Sequence, residues 1–132
     1  MTGEKNLEKL LASIAPKLMD GDYVFCSFAS AQYGDYKKLE PLATCKESEG
    51  LTLLILKSHA DAHGISYESV FKGITLTVHS SLDAVGLTAA ISTKLTEHGI
   101  SANMIAGYYH DHVFVNAEHA DRAMAALGEF AV

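Results

Sequence analysis

The stretch His79-Ser80-Ser81-Leu82-Asp83-Ala84-Val85-Gly86-Leu87-Thr88 gathers small polar and acidic side chains where an apolar strand gives way to a helix. At such a junction free backbone N–H groups and the positive end of the helix dipole point outward, so a carboxylate can dock there. Ser80 and Ser81 add hydroxyl donors, and Asp83 offers a charge to an ammonium group. Gly86 lets another backbone approach closely. Together these groups suit an α-amino acid, which presents one carboxylate and one ammonium. A plainer reading accounts for the same residues: Ser81 and Asp83 cap the helix, and Gly86 packs against a neighbouring strand.

A second dense stretch is Tyr108-Tyr109-His110-Asp111-His112. His110 and His112 share one side if the chain is extended, a spacing that can chelate a metal. Asp111 then points away. A catalytic zinc normally takes three protein ligands, and no third is evident nearby. The expectation is therefore a polar hairpin turn, with the tyrosines over the sheet edge, the histidines bonded locally, and no metal or cofactor. His79 beside Ser80, Ser81 and Asp83 invites comparison with a Ser-His-Asp triad. Neighbours at a strand end diverge, however, and no nucleophile-elbow glycine pattern is present, so His79 is expected to pack at the strand end. His59 and His119 each open a helix, where the dipole disfavours their charged forms. Cys26 and Cys45 lie in apolar segments and read as buried thiols. No phosphate-binding glycine loop, Cys-x-x-Cys pair or His-Glu-x-x-His helix occurs.

Of the 132 residues, 48% are apolar and 20% charged, which suits a folded chain rather than a disordered one. The net charge of −6 comes without a basic cluster, so nucleic acid is not an expected partner. No apolar run approaches the roughly 20 residues that cross a bilayer, and no charged-then-apolar leader opens the chain. The expected location is the cytoplasm, with no membrane association.

The elements that must position these groups follow from hydrophobic periodicity. Leu7, Leu10, Leu11, Ile14 and Leu18 predict a helix over Glu4 to Leu18, which Pro16 interrupts near its end. Tyr23 to Ala29 reads as a strand, Ser30 to Pro41 as a polar loop, Leu42 to Lys46 as a short strand, and Leu51 to Leu56 as a buried one. Ser58 to His63 is a short helix. From Val70 onward the order is strand (Val70 to His79), helix (Leu82 to His98, capped by Ser80 or Ser81), strand (Ile100 to Ala106), turn, strand (His112 to Val115), helix (Glu118 to Leu127), with a terminal strand at Phe130 to Val132. That is the split βαβ, or ferredoxin-like, α+β plan, with helices on one face of an antiparallel sheet. Leu53 to Ala62 also resembles Val113 to Arg122, 60 residues downstream, and both contain His-Ala-Asp at a helix start. A weaker match relates Leu10–Tyr23 to Leu87–Ile100. The chain therefore reads as two related modules, residues 1–66 (incomplete at its start) and 67–132.

Three segments are similar to the ACT-domain family: Glu49 to Leu53, Ile74 to Ala89, and Gly99 to Val115. The chain resembles in particular the small tandem-ACT proteins related to the regulatory region of aspartate kinase and to CASTOR-type amino-acid sensors. The resemblance implies ferredoxin-like modules in tandem, side-by-side pairing that makes a homodimer, and no catalysis. It also implies a regulatory role in which an amino acid binds where ACT units meet. The ligand would be held by the loop after the first strand, here Ser80, Ser81, Asp83, Val85 and Gly86. The second strand of a neighbouring unit, here Asn103, Met104 and Ile105, would complete the site. The proline that many ACT domains place shortly before that glycine is missing. The alternative is an ACT module that only pairs with other proteins and takes no ligand.

Overall fold

The structure, a computed structural model, describes Gly3 and residues 5–131. In chain order its elements are α1 (Leu7–Ala12), β1 (Pro16–Leu18), β2 (Tyr23–Phe28), a 3-10 turn (Lys37–Leu39), β3 (Ala43–Glu47), β4 (Gly50–Leu56), α2 (Lys57–Ala62), β5 (Phe71–Leu76), α3 (Leu87–Glu97), β6 (Asn103–Ala106), β7 (Asp111–Asn116), a second 3-10 turn (Ala117–His119) and α4 (Ala120–Gly128). They form two compact units, residues 21–71 and a unit joining residues 1–20 to 72–132. The sequence divides the modules at 66/67, whereas the units divide at 20/21 and 71/72. The reason is backbone pairing: Pro16, Lys17 and Leu18 lie antiparallel to Leu76, Thr75 and Ile74.

Pro16 decides the fate of the first segment. The Asn6 side chain accepts the Lys9 N–H and starts α1, but the helix stops at Ala12, well short of Leu18. Proline cannot donate a ladder hydrogen bond, and an edge strand such as β1 is where a sheet tolerates it. Glu4 and Val132, at the ends of the expected first helix and terminal strand, lie outside the described residues, and Phe130 sits in a turn.

In the unit containing the C-terminus the strand order is β1-β5-β7-β6, the four-strand plan expected of a split βαβ module. Its fourth strand comes from the beginning of the chain. Leu87, Ile91 and Leu95 recur every four residues along α3 and are buried with Ile74, Leu76, Val113, Val115, Ala123, Ala126 and Leu127. Leu10 and Ile14 complete this core. Small residues on α4 let it approach closely. Lys94 Nζ lies 3.2 Å from Glu129 Oε1 and 5.1 Å from the centre of the Phe130 ring, tying α3 to the segment after α4.

In the 21–71 unit, β4 pairs with both β3 and β2, and Tyr23 of β2 pairs with Phe71. The connection from β2 to β3 carries only the 3-10 turn, where the ferredoxin-like plan has a helix. Wholly buried Leu39 and the Phe28–Tyr36 stack, 3.9 Å between ring centres, cover the sheet there instead. Cys26 is buried as expected. Cys45 is not: it lies on β3, an edge strand exposed over most of its length.

The 60-residue match reproduces in space. Both β4 and β7 end where a helical turn begins, at Lys57 and Ala117. The weaker match does not, because Pro16–Leu18 is a strand whereas its counterpart lies inside α3.

Two outcomes follow. A methyl at position 73 would lie 2.5 Å from Met19 Sδ and 2.7 Å from Cε2 of the fully buried Phe114 ring. Gly73→Ala is expected to cost about 1–3 kcal/mol, the usual range for overpacking, read as a lower urea midpoint at unchanged slope. The Lys94 hydrogen bond holds the Glu129 carboxyl below the usual carboxylate range, helped by His98. A depressed carboxyl contributes stability above its unfolded pKa and loses it as pH falls through the folded one. The stability difference between wild type and Glu129→Gln is therefore expected to be present near neutrality and to vanish in acid, by thermal melts across pH.

Candidate functional site

The ten-residue bend after β5 is organised by its own hydrogen bonds. Thr77 is tied to the carbonyl of Ala15 through both its N–H and its hydroxyl. The Ser81 hydroxyl oxygen accepts the Asp83 N–H at 3.1 Å, and the Ser81 carbonyl accepts the Ala84 N–H at 3.0 Å. These bonds close a local turn at Ser81–Ala84 that does not continue into a helix, and α3 begins only at Leu87. Its cap is Gly86, in the left-handed region at φ +98°, with no side-chain capping bond. Neither serine caps the helix, which overturns the expectation from sequence. Leu82 and Val85 are instead 64% and 85% exposed.

Ser80 lies deepest. It is only 6% exposed, and its hydroxyl donates to Asp111 Oδ2 at 3.2 Å; Asp111 is 9% exposed. The Ser80 proton is thus held by a carboxylate on the first residue of β7 and not by a histidine, which removes the triad geometry. His79 is not in β5, which ends at Leu76. Its ring leans toward Tyr109 at 5.2 Å, and Tyr109 meets Tyr108 edge-on at 5.1 Å. Both tyrosines are largely exposed at the turn. A hollow of about 190 Å³ lies against the bend, lined by Gly3, His79, Ser80, Ser81, Asp83 and Tyr108 among others.

The second expected group of residues divides. Asn103, Met104 and Ile105 pair with Phe114, Val113 and His112. Met104 shares a face with Val113 and packs against the core, while Asn103 and Ile105 share the opposite face with Phe114 and His112. The Asn103 amide donates to the Phe114 carbonyl at 3.3 Å. The hollow at the bend is lined by none of these three.

His110 and His112 bond to different partners: His110 Nδ1 lies 3.4 Å from the Val78 carbonyl, and His112 Nδ1 3.0 Å from Thr75 Oγ1. Burial lowers the His112 pKa, the charge of His110 lowers it further, and Asp111 opposes both. Among the described residues no group of three or more His, Cys, Asp or Glu side chains is placed to share a metal ion. His59 Nδ1 meets the Leu39 carbonyl at 2.9 Å. Its repeat mate His119 has a buried Nδ1 with no protein partner.

Asp111 is the site residue that sequence reading missed. Strand alternation could have found it, since Asp111, Val113 and Val115 share one face and the latter two are plainly core. Three larger hollows also went unseen: one of about 370 Å³ lies beside Ala90, Lys94 and Phe130, and two lie in the 21–71 unit. Of these two, one, of about 490 Å³, lies beside Phe25, Ser27 and the Ser66–Phe71 segment; the other, of about 420 Å³, lies beneath Tyr33, Tyr36 and Leu42.

Ser80→Ala leaves the buried Asp111 carboxylate without its hydroxyl donor. It is expected to cost about 1–3 kcal/mol in denaturant unfolding, the usual penalty for stranding a buried polar group.

Two ACT-domain models match the chain, one over residues 2–72 and the other over residues 68–129. No curated protein matches it. Among solved structures, a protein from Vibrio cholerae described as of unknown function and a possible transport protein is 58% identical, with a TM-score of 0.87 over 97% of this chain and 98% of that one. The ligand-free regulatory subunit of aspartate kinase from Thermus thermophilus is 13% identical, with a TM-score of 0.63 over 90% and 96%. The corresponding subunit from Thermus flavus is 11% identical, with a TM-score of 0.62 over 98% and 99%. At these identities the two aspartate kinase subunits show a shared fold. Among the described residues no helix is long and apolar enough to cross a membrane.

Proposed function

The chain belongs to the ACT-domain family, and on that footing we propose that it is a non-catalytic regulatory module that binds a free amino acid at the bend between β5 and α3. The observation that carries this reading is the hollow at that bend, lined by Ser80, Ser81 and Asp83. Its volume of about 190 Å³ is below the roughly 300–1,000 Å³ typical of drug-sized pockets, which favours a molecule as small as an amino acid over a nucleotide. Val85 and Gly86 complete the bend. Asn103 and Ile105 are the residues of β6 through which a neighbouring ACT unit would meet the ligand, while Met104 contributes packing. The similarity to aspartate kinase regulatory subunits supports a regulatory role.

In this reading two copies pair through their ACT units, and the exposed Leu82 and Val85 would be covered by the pairing. The ligand acts by favouring one arrangement of paired units over another, to the extent of its differential affinity for the two. The protein works in the cytoplasm, without nucleic acid or membrane as partners.

Thermal melts against the proteinogenic amino acids at millimolar concentration test this. A binder stabilises by RT ln(1 + [L]/Kd), about 2.7 kcal/mol at a hundredfold excess over Kd. At least one amino acid is expected to raise the Tm of wild type. Asp83→Ala is expected to abolish that rise while leaving the unliganded Tm nearly unchanged, because Asp83 is exposed. A flat response across the whole set would leave the alternative, a module that pairs without a ligand.

A further inference from the structure

We propose that the bend reads the ammonium group of its ligand and not the carboxylate, and that Asp111 is the positioning residue that makes it do so. This rests on the bend being the ligand site.

A serine hydroxyl has one proton and two lone pairs. The Ser80 proton is committed to Asp111 Oδ2 at 3.2 Å, inside a pair in which both residues are buried. What Ser80 has left for a ligand is acceptor capacity, the reverse of the donor role its sequence position suggests. An ammonium group supplies donors and no acceptor; a carboxylate is the opposite. Ser81 is the complement: its oxygen already accepts the Asp83 N–H, so its proton remains available to donate. That donor does not require a carboxylate, because a neutral carbonyl or ether oxygen on the ligand also accepts it.

The charges agree with the hydrogen-bond count. Asp83 lines the hollow, and Asp111, outside the lining, is hydrogen-bonded to Ser80 within it. Among the described residues neither has a lysine or arginine within ion-pair distance. A ligand carboxylate would meet the like charge of Asp83 and, at longer range past Ser80, that of Asp111, whereas an ammonium would be attracted by both. Tyr108 lines the same hollow, and an aromatic side chain there suits a cation better than an anion. The helix N-terminus, which would favour an anion, lies beyond Gly86 and is not part of the lining. The ligand class is therefore a small primary ammonium compound carrying an oxygen acceptor, its carboxylate dispensable.

The experiment compares each proteinogenic L-amino acid with its primary amide, which keeps the ammonium and removes the carboxylate charge, and with its 2-hydroxy acid, which does the converse. Tm shifts select the amino acid that binds wild type, and calorimetry measures the three forms. The amide is expected to bind about as tightly as the acid, and the hydroxy acid at least about tenfold more weakly, as suits losing a charge-assisted hydrogen bond. A hydroxy acid that keeps its affinity while the amide loses it overturns the proposal and leaves the site itself standing. No response to any amino acid removes the site and the proposal together. The role of Asp111 is read from the ratio of amide to hydroxy-acid affinity, which lost stability alone would not move. Asp111→Ala frees the Ser80 proton and is expected to shrink that ratio. Asp111→Asn, whose carbonyl still accepts the proton, is expected to restore most of it. Ser80→Ala should shrink it as well, and supplies the readout if Asp111→Ala does not fold. A ratio unchanged in these variants overturns the positioning role.

Discussion

The antiparallel pairing of Pro16–Leu18 with Ile74–Leu76 is the constraint on which the unit bearing the candidate site depends. It supplies the strand that the segment after residue 72 lacks, and it covers an edge of β5 that would otherwise expose unpaired backbone groups. It also fixes what precedes and follows it. Leu10 and Ile14 enter the core beside α3, Met19 lies over Gly73, and Gly3 is brought against the backbone of Ser80 and Ser81. A local module made only of residues 67–132 would lack both that strand and one wall of the hollow.

The two units run the same strand-and-helix plan with different connections over the sheet. After β5 the chain forms an eleven-residue helix whose Leu87, Ile91 and Leu95 are buried; after β2 it forms an irregular loop anchored by Leu39. The repeat-related histidines record this difference. His59 finds the carbonyl of Leu39, which the loop supplies, while His119 has no protein group at the equivalent nitrogen. A shared plan has thus diverged where the connections differ, and each connection sets the surface available for binding.

At the bend, polarity is decided by which partner holds each proton. Adjacent serines of the same chemistry take opposite roles because one donates to a buried carboxylate and the other accepts a backbone N–H. A buried carboxylate is costly unless hydrogen-bonded, so the Ser80–Asp111 pair serves the fold as well as the site. It also orients the only side chain of the bend that lies deep in the protein.

Much of this was legible in order and type. The short apolar run Leu51–Leu56, the hairpin partner His112–Val115, four-residue spacing from Leu87 to Leu95, and Gly99 as a stop all follow from local pattern, which depends only on neighbours in the chain. The ferredoxin-like plan and the ACT resemblance rest on that order. What the tertiary structure decided was pairing and direction. Nothing local says that Pro16–Leu18 would leave a helix to complete a sheet more than fifty residues away, since only β5 supplies the hydrogen-bonding edge. Nor does the polarity of Ser80 appear in its neighbours. Its donor role is set by Asp111, 31 residues distant, and long-range contacts of that kind exist only once the strands have paired.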